Sequence, residues 1–308
     1  MGPVPELPDI ELYLHALRPR LVGRLIERIR LSSPFVVRTT TPDIHTLEGR
    51  RVAGLRRIGK RVVLDLDGPF LVIHLMIAGR FQWKPANAPI PARVGLLALD
   101  VPGGTLLLTE AGTTRRASVH VIPDEAALAV MDPGGLEVLT ASQAQFREAL
   151  QRERHTLKRT LTDPGLFSGI GNAYSDEILH RARLSPLRLS DGLTSDEVDA
   201  LHGAARAVLQ EWRDALIAAA GETFPARVTA FRDGMAAHGR YGHPCPTCGT
   251  PIQRLRYAAN EANYCPACQT QGRLLADRGL SRLLKSDWPR SLDELERRKA
   301  AHRLPPVD

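Results

Sequence analysis

No segment of this 308-residue chain supplies the roughly 18 uninterrupted apolar residues of a membrane-spanning helix; the run Leu71 to Ala78 is interrupted by His74. A secretory signal is equally absent as a pattern, because Glu6, Asp9 and Glu11 stand where an apolar run would be needed. The expectation is a soluble, cytoplasmic protein with no membrane partner. There is no internal repeat and no low-complexity tract, so ordinary globular domains are expected rather than a repeat array. Cysteine is missing outside residues 245–268, which leaves no disulfide framework for most of the chain. What is present fits a folded protein: 43% apolar and 24% charged residues exclude a disordered or collagen-like chain. Lys plus Arg number 41 against 34 acidic residues, a formal charge of +7. That balance favours polyanionic partners, weakly.

The four cysteines form two knuckles, Cys245-Pro-Thr-Cys248 and Cys265-Pro-Ala-Cys268, separated by residues 249–264. Paired CxxC turns at this spacing match a four-thiolate zinc ribbon, and Gly249 with the internal prolines suits the tight turns. Two disulfides are the competing reading, and they belong to a secreted protein.

Upstream, residues 8–19 read as an amphipathic helix with Ile10, Tyr13, Leu14 and Leu17 on one stripe. Short β-like segments follow at 25–31, 52–55, 62–66, 70–76, 96–101, 105–109 and 118–122, punctuated by turns such as Asp67-Gly68-Pro69. This spacing predicts a sandwich or barrel. Helical periodicity dominates from Ser142 to about Gly221, and Thr194-Ser-Asp-Glu197 forms a capping box. The tail from Gly272 is basic and helix-prone. The predicted class is α+β and multidomain: a catalytic β-sandwich domain over 1–135, a helical domain over 136–236, a zinc ribbon over 237–271 and a basic extension over 272–308.

Four segments, in order, resemble the formamidopyrimidine-DNA glycosylase and endonuclease VIII family. They are Pro5-Glu6-Leu7-Pro8-Asp9-Ile10-Glu11; Gly59-Lys60 with His74-Leu75 and Ala78-Gly79; Ser168-Gly-Ile-Gly-Asn-Ala-Tyr-Ser-Asp-Glu177, similar to the helix-two-turn-helix motif; and His238-Gly239-Arg240 before the ribbon. The resemblance spans about residues 5–270. It implies a bifunctional glycosylase and abasic-site lyase of base-excision repair, acting as a monomer on damaged double-stranded DNA, with one structural Zn2+. By position, Pro5 is the amine nucleophile, Glu6 the general acid/base, and Lys60 a phosphate contact that assists proton transfer. An amino-terminal amine suits that task, since its reference pKa of about 8 lies far below a lysine's.

The same resemblance assigns DNA contacts to His74, Ile77, Arg115, Arg116, Arg154, Lys158, Asn172 and Asn260. Ile77 and Arg115 take the places of wedge residues that fill the space left by an extruded base. Arg152, Arg154, His155, Lys158 and Arg159 form a cationic run leading to Asn172, a phosphate contact. The chain departs from the family at four places. Ile77 replaces a methionine, Ala117 a phenylalanine, and Asn260 the finger's phosphate-gripping arginine; the segment 224–240 is shorter than the lesion-capping loop of the guanine-directed branch. The Asn260 departure predicts β-elimination with weakened δ-elimination.

As written, four residues precede Pro5, so its nitrogen is an amide without a basic lone pair. One reading takes Val4 as a GTG start, giving a product trimmed to Pro5. The other takes the extension as genuine, leaving Gly2 or Lys60 as the amine, or leaving a damage-binding protein without lyase chemistry. A zinc-ribbon nucleic-acid module with no damage preference is the third possibility; it leaves Pro5-Glu6 unexplained.

Overall fold

The computed structural model describes residues 4–112, 114–226, 228–229, 232–257, 260–276 and 288–301. They fall into two compact units. The first takes the described residues within Met1–Ala149, Asp163–Gly171 and Leu209–Arg232; the second takes those within Leu150–Thr162, Asn172–Val208 and Asp233–Asp308.

The first unit opens with α1 (Leu7–Leu21). Its start is written locally. Glu6 sits extended at the cap, Pro8 occupies the first turn where no N–H is needed, and the Asp9 carboxylate accepts the Glu6 N–H at 2.9 Å. The helix is buried more completely than a single stripe would be, since Leu12 and Ala16 are covered as well.

Two four-stranded antiparallel sheets follow. One has the order β2 (Gly54–Ile58), β3 (Arg61–Asp65), β4 (Phe70–His74), β8 (Ser118–Ile122). The other has β1 (Arg28–Leu31), β6 (Gly95–Val101), β7 (Gly104–Glu110), β5 (Gly79–Lys84). Side chains alternate between faces along a strand. Val62, Leu64, Leu71 and Ile73 therefore share one core with Leu97, Leu99, Leu106 and Leu108 of the other sheet and with α1. Val63 and Val72 face outward and are covered by Leu128 of α2 (Glu125–Val130). This is the expected sandwich. Strand β5 was not among the segments read from the sequence; β2 runs later than expected, through Arg56 and Arg57.

Helix α3 (Gln143–Gln151) and the 26-residue α6 (Ser195–Ala220) each divide between the units. In the second unit lie α4 (Leu157–Thr162) and α5 (Asn172–Arg181), the paired helices of the helix-two-turn-helix segment. The ribbon consists of an antiparallel hairpin, β9 (Gln253–Tyr257) with β10 (Asn260–Tyr264), and a short α7 (Pro266–Thr270). Cys245, Ile252 and Cys265 form its core. Beyond it, the tail contributes α8 (Leu292–Ala301). Among the described residues, no helix is long and apolar enough to cross a membrane.

Candidate active site and metal centre

In the first unit, three chain segments meet at Glu6. Helix α1 places Glu6 at its cap, next to the buried Pro5. The loop at 168–171 approaches from far along the chain: the Leu7 N–H donates to the Gly169 carbonyl at 2.9 Å, and the Gly171 N–H donates to the Glu6 carboxylate at 2.7 Å. The turn between β2 and β3 brings Lys60. A Cβ built on Gly171 would lie 2.5 Å from both Glu6 Cδ and Lys60 Nζ. Two atoms each 2.5 Å from one point are at most 5 Å apart, so acid and amine share one small space. Glu6 is only 2% exposed. A backbone donor and a neighbouring amine thus converge on a carboxylate that water scarcely reaches.

Arg57 organises this meeting point, and the sequence reading did not single it out. Its guanidinium is buried and contacts Glu11 of α1 at 3.2 Å, the Gly59 carbonyl at 2.8 Å and Ser168 Oγ at 3.2 Å. It also pairs with Glu137, which accepts from Ser168 in turn. One planar donor fork thus ties α1, the Lys60 turn and the 168–171 loop together. Gly169 has φ +76°, and a Cβ there would press on Leu7 and Arg57, so the close approach requires glycine. Asp9 was read only as part of the first motif. Beyond the Glu6 N–H, its carboxylate binds Arg232 at 2.6 Å. Burial raises the Asp9 carboxyl above its usual range, and Arg232 opposes that shift.

The wedge candidates lie at one end of the β4–β8 pair, where His74 is in register with Ser118. Ile77 sits in the turn after β4, and Arg115 to Ala117 run into β8. Met76 beside Ile77 has φ +52°, a sparsely populated conformation for a side-chain-bearing residue. The Arg115 guanidinium donates to the Arg93 carbonyl at 2.8 Å. Glu110, 1% exposed, accepts the backbone N–H groups of Arg116 and Ala117 at 2.9–3.0 Å. Burial, aided by Arg61 and Lys60, pushes His74 down to about 4. It is a neutral donor or acceptor near pH 7, and not a cation.

In the second unit, the cationic run before α5 divides. Arg154 is exposed and pairs with Asp191 at 2.7 Å. Lys158 is 8% exposed, bound to Asp176 at 2.5 Å and to the Asn172 carbonyl at 2.6 Å. Its ammonium therefore braces the start of α5. The Asn172 side chain donates to the Glu261 carbonyl at 2.7 Å, joining α5 to the ribbon hairpin. Asn260 opens β10, and its side chain lies outside the described residues. On the same hairpin, Arg254 stacks on Tyr241 at 4.1 Å and pairs with Glu261 at 3.5 Å. Arg256 is 64% exposed on its side chain and lies 3.8 Å from Glu261.

The sulfurs of Cys245, Cys248, Cys265 and Cys268 lie within 4.8 Å of one another, with Cys245–Cys268 at 4.0 Å and Cys248–Cys265 at 3.4 Å. A tetrahedral zinc with bonds of about 2.3 Å requires sulfur pairs about 3.8 Å apart. The donor set fits one structural zinc, and four thiolates leave no open coordination position. Burial pushes Cys265 up and Cys268 up to about 11. At Cys248 burial acts in the same direction, but hydrogen bonds from Thr250 outweigh it and bring the thiol down to about 6. Chelation is expected to remove amide-exchange protection from β9 and β10 while the β-sandwich keeps its own, because metal binding and ribbon folding are one equilibrium. Hydrogen exchange with and without chelator checks this; a protected ribbon after zinc loss would contradict it.

Three family models match the chain in order. The formamidopyrimidine-DNA glycosylase N-terminal domain covers residues 4–115, the H2TH domain of the same enzyme covers 135–219, and the zinc finger found in FPG and IleRS covers 242–271. Fold and site thus define a DNA glycosylase with a helix-two-turn-helix domain and a zinc finger. Among curated relatives, the formamidopyrimidine-DNA glycosylase of Desulforamulus reducens is 33% identical over 279 residues, 86% of this chain and 99% of the relative. That of Thermus thermophilus is 33% identical over 284 residues, 87% of this chain and all of the relative. The Lactococcus lactis Fpg complexed with abasic-site DNA superposes with a TM-score of 0.76 at 25% identity, covering 86% of this chain and 99% of that one. The chain belongs to the formamidopyrimidine-DNA glycosylase family.

Gly171 gives a direct test of the site geometry. Gly171→Ala would drive a methyl into Glu6 and Lys60. A displacement of about 1 Å in such a site costs roughly 100-fold in rate. Base release is expected to fall by that order, and a variant within threefold of wild type would show that the close approach is not required.

Proposed function

We propose that the protein is a bifunctional DNA glycosylase and abasic-site lyase for oxidised bases, using Pro5 as an amino-terminal nucleophile and favouring β-elimination. The observation that carries the reading is Glu6: a nearly buried carboxylate beside Pro5, with the Gly171 N–H and the Lys60 ammonium converging on it. The Pro5 amine attacks the sugar carbon that bears the damaged base. The carbon–base bond breaks, the base leaves with a proton, and the ring oxygen is protonated as the sugar opens to an iminium. Glu6 handles these protons, and Lys60 balances the adjoining phosphate charge. Loss of a proton from the next sugar carbon then expels the 3′ phosphate. Water releases the iminium.

The partner is damaged double-stranded DNA, engaged by a cytoplasmic monomer. Ile77 and Arg115 fill the space vacated by the extruded nucleotide, whose unstacking costs a few kcal/mol. Asn172 at the start of α5, with Arg116 and Arg154, meets phosphates; His74 contributes as a neutral group. Asn260 cannot grip a phosphate as a bidentate cation, and Arg256 is the exposed cation on the same hairpin. On a duplex carrying an oxidised base, the expected main product is a strand ending in an unsaturated aldehyde. A gap flanked by phosphates as the main product would overturn the β-elimination assignment. No base release from any oxidised-base duplex would overturn the glycosylase reading.

A second reading, a damage-binding protein without lyase chemistry, is motivated by Asn260 standing where the family's finger carries an arginine. It predicts salt-sensitive binding to abasic DNA with no scission from any starting residue.

A further inference from the structure

Helix α5 carries a histidine at its far end that the ligand set does not include. His180 Nε2 lies 3.2 Å from Cys245 Sγ, with the two residues 6% and 3% exposed. Four thiolates around one Zn2+ leave two negative charges, and on the buried side of the site, at Cys245 and Cys265, such charge requires donors. The ribbon supplies several from its own backbone: Thr247 N–H to Cys245 at 3.4 Å and Cys268 N–H to Cys265 at 3.5 Å. Thr250 donates to Cys248. The His180 contact is shorter than those two backbone contacts and comes from a helix outside the ribbon. A zinc-bound thiolate only accepts hydrogen bonds, so the ring nitrogen facing Cys245 must carry a proton.

We infer that His180 is an outer-sphere donor to the zinc centre, its Nε2–H bonded to the Cys245 thiolate, and that this bond ties the position of α5 to metal occupancy. The same helix holds the segment entering the first knuckle over two further positions. Asp176 binds His238 Nδ1 at 2.8 Å, and Glu177 accepts the N–H groups of Ala236, Ala237 and His238, each at 2.8 Å. Just past the helix, the Leu184 carbonyl accepts from Gln269 Nε2 at 2.9 Å. His180 adds the contact that lands on a metal ligand. By drawing charge from Cys245 it makes that sulfur a weaker nucleophile and fixes the orientation of the ligand.

The direct test uses the unaltered full chain with zinc replaced by cadmium-113 and histidines labelled with nitrogen-15. The expected result is an exchange-protected proton on His180 Nε2 with a scalar coupling to cadmium across the N–H···S bond. A ring protonated only at Nδ1, or no coupling, overturns the assignment. Substitution supplies a second readout. His180→Phe is expected to weaken zinc at least roughly 10-fold in chelator competition and to bring Cys245 forward in the order of iodoacetamide alkylation. His180→Gln, which keeps a donor, should recover most of both. Unchanged affinity and an unchanged alkylation order in His180→Phe also overturn the inference. If that variant does not fold, the cadmium measurement decides alone.

Discussion

Borohydride is expected to lock a chain beginning at Pro5 onto an abasic duplex and to leave a chain beginning at Met1 uncrosslinked. The difference should be nearly all or none, because it rests on whether a basic lone pair exists. A secondary amine at the terminus is substantially unprotonated near pH 8; the nitrogen of the Val4–Pro5 peptide bond is conjugated and cannot form an iminium. Both forms carry Glu6 and Lys60, which lie close together in the full chain, so failure of the longer form would point to the nucleophile. Mapping the reduced adduct to Pro5 completes the test. A crosslink from both forms would move the amine to Lys60 or Gly2, and none from either would favour the damage-binding reading.

Glu6→Gln is expected to lower base release by roughly 10²–10⁴-fold, the range over which a positioned general acid/base acts, while binding to an abasic duplex changes little. Glutamine still offers an oxygen to the Gly171 N–H, so the loop should stay in place. What it cannot do is move a proton, and its amide carbon would lie at most 5 Å from the Lys60 ammonium. Single-turnover base release read beside Kd separates these effects. A rate within threefold of wild type would remove Glu6 from the chemistry.

The residues readable from sequence were those whose meaning is local. Pro5-Glu6 is a short peptide at a helix start, and the cysteine knuckles fix two ligands each within four residues. The zinc centre formed from the four cysteines expected. What could not be read was long-range. The donor to Glu6 is the N–H of Gly171, and Asp9 meets Arg232 from 223 residues away. Arg57 looks like any strand arginine until its three partner segments are folded around it. Lys158 has a long-range side as well: within a basic run it reads as a DNA contact, and the fold also packs it against Asp176. Strand β5 was missed because Gly79-Arg80 opens it and Phe81 is its one well-buried apolar side chain.

Glu110 has a consequence for how lesion preference can change over time. Its carboxylate holds the loop entering β8 through main-chain N–H groups at 116 and 117, so the anchor does not depend on which side chains those positions carry. If this is the loop that meets a duplex, as proposed, anchoring it beforehand lowers the ordering entropy lost on binding. The exposed side chains at 115 and 116 can therefore be exchanged without redesigning the loop that presents them. Arg115 and Arg116 are such positions, a change of tool on an unchanged handle, whereas Ala117 is 3% exposed and packs into the sandwich core.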